Sequence, residues 1–185
     1  MTHVIDRKSL KHFALMACMA IGAIVLVSAF LLPNSFLTNS ICGANKDSAK
    51  EALSLLKDWA IWMASIQTAT IAALGLLAKD GLLVRTLTRW QARWAILVAL
   101  FNTSALFFSA WLLTSLSSLM LRVYQPGLSN YDFYNRPLYA YMEGSILGKF
   151  LTVAFFAFWN HWLWALGIVS FGALCITLIV EQGET

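Results

Sequence analysis

Four stretches of the chain run without a single Asp, Glu, Lys or Arg: residues 13–32, 59–78, 94–113 and 150–180. A helix rises ~1.5 Å per residue, so ~20 apolar residues cross the ~30 Å of hydrocarbon in a bilayer. Each stretch reaches that length, and the pattern predicts four transmembrane helices. The last stretch is too long for one span and too short for two. Counting back ~20 residues from Glu181 sets its span at 161–180 and leaves the preceding apolar residues outside. The expected layout is one four-helix membrane domain over residues 1–185. Its spans are 13–32, 59–78, 94–113 and 161–180, joined by loops 33–58, 79–93 and 122–149.

Helical spacing continues past the spans. Before the second, DSAKEALSLLKDW places Ser48 and Glu51 at capping-box spacing, with Leu53, Leu56 and Trp59 as a stripe, so that helix is expected to begin near Ala49. After the third, TSLSSLMLRVYQ carries Leu116, Leu119 and Met120 on one face until Pro126-Gly127 stops it. The fourth helix is expected to begin near Glu143. Helices 2–4 thus extend beyond the same face of the membrane, either as a short packed bundle or as tilted spans with interfacial turns.

Charge placement orients the layout. The N-terminal segment and the 79–93 loop hold seven of the thirteen Lys and Arg, including Arg85, Arg89 and Arg93. Lys and Arg in short loops favour the cytoplasm. The fold class is therefore an all-α integral membrane protein, N-in/C-in, with the helix extensions on the non-cytoplasmic side. The 79–93 loop interleaves Leu82, Leu83, Leu87 and Trp90 with cations, which suits a short interfacial helix against anionic headgroups or a cytoplasmic partner. Composition supports lipid as the solvent. Of 185 residues, 59% are hydrophobic and 12% charged, whereas a soluble domain carries about 25% charged. The net charge of +4 forms no basic stripe, and no nucleic-acid partner is expected.

Polar residues inside the spans are the first candidates for function. Gln67 lies ~18 Å from the Lys79 end of its span and Asn102 ~14 Å from the Arg93 end, at similar depth. A buried amide needs a partner, so a Gln67–Asn102 or Gln67–Ser104 hydrogen bond is expected. With Thr68 and Thr103, these residues would either tie helices together or line a narrow pore. Ala60 and Ala64 repeat every four residues with Thr68 and Ala72. Ser65, Ala69 and Ala73 form a second ridge, which suits close helix packing within or between subunits.

Two aromatic features lie outside or at the edge of the spans. All five tyrosines, Tyr124, Tyr131, Tyr134, Tyr139 and Tyr141, fall in loop 122–149 together with Phe133. Such residues suit a headgroup layer or a recognition surface. The stretch FAFWNHWLWALG places Trp159, His161, Trp162 and Trp164 at the boundary of the last span, as an interfacial belt or a ligand or proton site.

Catalytic signatures are scarce. Cys18, Cys42 and Cys175 form no C-x-x-C, no H-E-x-x-H, G-x-S-x-G or P-loop occurs, and no acid lies in a span. No cofactor or metal site is expected. The leading expectation is a non-catalytic membrane subunit acting through self-association or a membrane or cytoplasmic partner, with sensing or docking at its outer face. The alternatives are an oligomeric channel or membrane-disrupting effector lined by Gln67 and Asn102, and a small enzyme or redox carrier using His161. The dimensions resemble those of small four-span proteins, including membrane subunits of bacterial defence and toxin systems, which points to a bacterial inner membrane.

Overall fold

The structure is a computed structural model that describes residues 7–31, 46–79, 88–123 and 135–182. The described residues are almost wholly helical. Helix α1 spans Arg7–Leu31, α2 Lys46–Lys79, α3 Arg89–Val123, α4 Ile146–Phe150 and α5 Val153–Gln182. Four of these, all but the five-residue α4, are long and apolar enough to cross a membrane. With ~1.5 Å of rise per residue, the 34 residues of α2 and the 35 of α3 reach ~50 Å, well beyond the hydrocarbon thickness.

Helix α3 is central. It packs along α5 on one side and α2 on the other, and α1 lies at the margin. The pairing Ser109–Asn160 near mid-helix and Gln91–Thr177 near one end shows α3 and α5 running antiparallel.

The packing seam has one period on three helices. On α2 the buried positions are Ala49, Leu53, Leu56, Ala60, Met63, Gln67 and Thr70. On α3 they include Val98, Asn102, Ala105, Ser109, Leu112 and Leu119. On α5, Phe156, Asn160, Leu163, Ser170 and Leu174 are buried, and Gly167 joins them. Steps of four and three alternate throughout, which averages 3.5 residues per turn and keeps one seam facing its neighbour along a left-handed bundle. The every-four ridge expected on α2 behaves differently. Each step of four turns ~40° past a full revolution, so the ridge winds off the interface. Ala60 is buried, Ala64 half-buried, and Thr68 and Ala72 exposed. Ser65 and Ala69 also lie on the outside, and Ala73 is half-buried.

Two helix starts are defined by local chemistry, and that of α2 lies earlier than its sequence cap. Helix α2 begins at Lys46, so Ser48 lies inside its first turn rather than at its cap. Helix α3 starts with a reciprocal box. The backbone N–H of Thr88 donates to Gln91 Oε1 at 3.0 Å, and the N–H of Gln91 donates to Thr88 Oγ1 at 3.4 Å. Arg89 and Arg93 therefore belong to α3 itself. Helix α5 starts at Val153 and not near Glu143. The N–H of Phe155 donates to Thr152 Oγ1 at 3.2 Å, which caps the helix.

Residues 135–152 fold into a cap over one end of the bundle. The N–H of Leu138 donates to the carbonyl of Leu151 at 3.0 Å, and the N–H of Val153 donates to that of Arg136 at 3.2 Å. A 3-10 turn over Ala140–Met142 leads into α4, which is capped by Ser145 Oγ accepting from the N–H of Gly148 at 3.0 Å. Gly148 permits this closeness, since a Cβ there would sit on the carbonyl oxygen of Met142. Leu138 is fully buried and joins one continuous core with Ala49, Leu53, Leu119, Val123 and Val153. The extensions of α2 and α3 therefore pack as a bundle at the capped end.

Among its described side chains, helix α1 contributes no fully buried residue to the bundle, and Ile21 and Val25 pack partly buried against the core. Two side-chain contacts add to this. The indole N–H of Trp159 donates to Ser28 Oγ at 2.8 Å, and the guanidinium of Arg93 lies 5.3 Å above the Phe13 ring.

Candidate functional site

A layer of neutral polar side chains crosses the middle of the bundle. Gln67 Nε2 donates to Asn160 Oδ1 at 3.0 Å. Ser109 Oγ lies 3.0 Å from the same Oδ1 and 3.3 Å from Gln67 Oε1, so its hydroxyl bridges the two amides. Gln67, Ser109 and Asn160 are each at most 1% exposed, and α2, α3 and α5 contribute one apiece. In a dry interior these bonds replace water that is absent, so the layer ties three helices at one register. All three side chains are neutral.

This layer replaces the expected pairing. Gln67 meets neither Asn102 nor Ser104. Asn102 lies two turns away along α3, where its Nδ2 donates to the carbonyl of Val98 at 2.9 Å. It faces Gly167 so closely that a Cβ there would come within 2.6 Å of Asn102 Nδ2. Both amides face the buried seam, but they sit at levels two turns apart, so they meet different neighbours. Asn160 is the partner that depth alone does not reveal. It faces inward, while His161, the next residue, is exposed on the outer surface of α5.

The remaining span residues divide the same way. Thr68 and Thr103 are exposed, Ser104 is half-buried, and the Thr68 hydroxyl donates to the carbonyl of Ala64 at 2.8 Å. The five residues named as pore lining do not share a face. Asn160 Nδ2 and Asn102 Oδ1 are both buried without a hydrogen-bond partner.

The aromatic belt is also divided. Trp159 is 9% exposed and turned toward α1, so it is a packing residue. Trp162 and His161 remain on the outside and Trp164 is half-buried. The His161 ring stacks on Trp59 of α2 at 6.4 Å and lies 5.9 Å from Trp164, which in turn meets Trp62 at 5.8 Å. This is an aromatic seam between α2 and α5, with the imidazole as one of its rings. Among the described residues, no three His, Cys, Asp or Glu come together as a metal site.

At the capped end, Tyr139 and Tyr141 stack at 5.4 Å. The Tyr139 hydroxyl lies 2.9 Å from Thr114 Oγ1, its ring meets Trp111 edge-on at 5.8 Å, and the N–H of Ala140 donates to Ser118 Oγ at 2.9 Å. These contacts fix the cap to the end of α3. Tyr141 is 80% exposed beyond them. Arg136 and Glu143 form an ion pair across the cap. Tyr124, Tyr131, Phe133 and Tyr134 lie outside the described residues, as do Arg85 and Cys42.

The sequence carried two signals for these features that depth and ridge counting overlooked. The T-x-x-Q start of α3 is a capping box, and Asn160 recurs in a four-three series with Phe156, Leu163 and Gly167. Comparison of the chain with protein-family models, with curated proteins and with solved structures finds no match.

Proposed function

We propose that the chain is a non-catalytic integral membrane subunit that acts through assembly, with the capped end as a docking head. In this reading both termini lie in the cytoplasm of a bacterial cell and the head faces outward from the inner membrane. The observation that carries it is the continuous core joining the outer turns of α2 and α3 to Leu138 and Val153. A segment needed only to connect two spans has no need of such a core. A rigid platform presenting Tyr139, Tyr141, Arg136 and Glu143 suits recognition. The neutral central layer supports the same reading, because Gln67, Ser109 and Asn160 hydrogen-bond to one another across three helices. The outward Ser65 and Ala69 leave a surface on α2 where a second helix backbone approaches closely. Arg89 and Arg93, at the opposite end, would face cytoplasmic headgroups or a cytoplasmic partner.

The test is mass measurement of the detergent-solubilised protein, with crosslinking through cysteines introduced at Ala69 and at Tyr141. A complex larger than one chain, crosslinked through either position, is the expected result. A strictly monomeric protein with no copurifying partner removes the proposal.

A further inference from the structure

At the end of the bundle opposite the cap, Arg93 joins α1 to α3. Its guanidinium carbon lies 5.3 Å from the ring centroid of Phe13 on α1 and 5.2 Å from that of Trp90 on its own helix. Both contacts use the face of a ring, which attracts the cation without accepting its N–H donors as an oxygen does. The planar fork of a guanidinium matches two oxygens of a phosphate. Trp90 is 66% exposed beside it. Arg89 stands one turn before Arg93, Lys11 two residues before Phe13, and both are exposed.

The charge at this end is counted whole from the sequence. Segments 1–12, 79–93 and 181–185, all attached to this end, carry seven Lys and Arg against Asp6, Asp80, Glu181 and Glu184. At the capped end, segments 33–58 and 114–149 carry six against five acids. The positive surplus of the chain therefore lies mainly on the Arg93 side, where it favours an anion.

The level of the junction selects which anion. The charge-free stretch of α1 begins at Phe13 and that of α3 at Trp94, while that of α5 ends at Val180. The contact of Arg93 with Phe13 aligns the first two limits. Gln91 Nε2 donates to the carbonyl of Thr177 at 3.3 Å and aligns the third. Charge gives way to hydrocarbon in one plane across three helices, and the open Trp90 indole sits at the depth that amphipathic rings favour. The oxyanions found at that depth are lipid phosphates, and basic clefts between helices on the cytoplasmic side suit anionic headgroups.

We infer that the junction of α1 and α3 binds the phosphate of an anionic glycerophospholipid of the cytoplasmic leaflet. Arg93 is its principal contact, Arg89 and Lys11 flank it, and Trp90 lies against the glycerol and the first acyl carbons. A phosphate held from both helices clamps α1, which has no fully buried described side chain, onto the bundle. The inference rests on the reading that places this end in the cytoplasm, and it is independent of what the capped end docks.

The experiment is native mass spectrometry of the full chain, purified in detergent and stripped of lipid. Phosphatidylglycerol, phosphatidylcholine and inorganic phosphate are added in separate arms. One phosphatidylglycerol should bind at least about tenfold more tightly than phosphatidylcholine. Arg93→Gln should weaken phosphatidylglycerol about fivefold or more and leave phosphatidylcholine unchanged. Arg89→Gln and Lys11→Gln, at exposed positions that do not threaten folding, should act in the same direction. Lys57→Gln, an exposed cation at the capped end, should have no effect. Inorganic phosphate at millimolar concentration should not displace the lipid. Equal binding of the two lipids, insensitivity to Arg89→Gln and Lys11→Gln, an equal loss with Lys57→Gln, or full displacement by inorganic phosphate would each overturn the inference. Protease access to an N-terminal tag in inverted membrane vesicles reports the orientation separately. Cleavage is expected, and a protected tag removes the cytoplasmic placement and the leaflet assignment with it. Assembly mass is read in the same spectra, so loss of lipid preference with assembly intact counts against this site alone.

Discussion

The side-chain amide of Gln67 donates to the carbonyl of Asn160 at 3.0 Å, joining residues 93 positions apart in the chain. With Ser109 this contact brings α2, α3 and α5 together through their side chains. Interhelical hydrogen bonds in membranes contribute on average ~0.6 and at most ~1.7 kcal/mol. Gln67→Leu should therefore lower stability by about 1–2 kcal/mol, measured by unfolding in mixed detergent micelles. In a cycle with Asn160→Leu, the double variant should lose less than the sum of the two single variants. Strict additivity would show that the pair does not interact.

Gly167 and Gly172 provide a matched contrast on one helix. A methyl at Gly167 meets Asn102 Nδ2 at 2.6 Å, whereas one at Gly172 has nothing within 4 Å. Gly167→Ala should destabilise by about 1–3 kcal/mol through overpacking. Gly172→Ala should be neutral or slightly stabilising, because Ala is the better helix former. Asn102→Ala should relieve much of the cost of Gly167→Ala. The same unfolding assay reads all three, and equal effects of the two glycine substitutions would contradict this packing.

The cap should respond to shape more than to charge. Arg136 and Glu143 are 40% and 51% exposed as side chains, so Glu143→Gln should change stability by no more than ~1 kcal/mol. Gly148→Ala drives a methyl into the backbone oxygen of Met142, which has no flexible side chain to yield. Loss of the cap should follow, seen as faster amide hydrogen exchange at Leu138 and Leu151, with exchange in the spans unchanged.

Trp159→Phe keeps the ring and removes the donor to Ser28. It should cost about 1 kcal/mol and loosen α1 selectively. A disulfide engineered between the facing ends of α1 and α5 should then form more slowly, while one between α3 and α5 keeps its rate.

The four long apolar helices were legible from the sequence because charge is excluded from hydrocarbon. The seam between helices was less so. In water, the buried face of a helix is its apolar stripe. Here every face is apolar, and the seam is marked by Gln67, Asn102, Ser109, Asn160 and Gly167, the small and polar exceptions. Depth, read from charged flanks, placed Gln67 and Asn102 at one level, but Gln67 meets Ser109, two turns from Asn102 along α3, because charged flanks do not fix the axial register of neighbouring helices. The alternating four-three spacing marks the buried face of each helix. The every-four spacing of Ala60, Ala64 and Thr68 does not. The start of α5 was displaced from Glu143 because an apolar run hides a boundary set by the Thr152 cap and the Pro137–Thr152 bridge. The capped end is a long-range assembly of residues 49–56, 112–123 and 138–156, and no local pattern announces such a union.

The marginal seat of α1 affects how the protein is made. Its hydroxyl tether at Ser28 waits for Trp159, 131 positions later. At ~5–20 residues per second of synthesis, that is roughly 7–26 s in which α1 stands without its hydrogen bond to α5. Until then the contact of Arg93 with Phe13 and the packing of Ile21 and Val25 are what hold it.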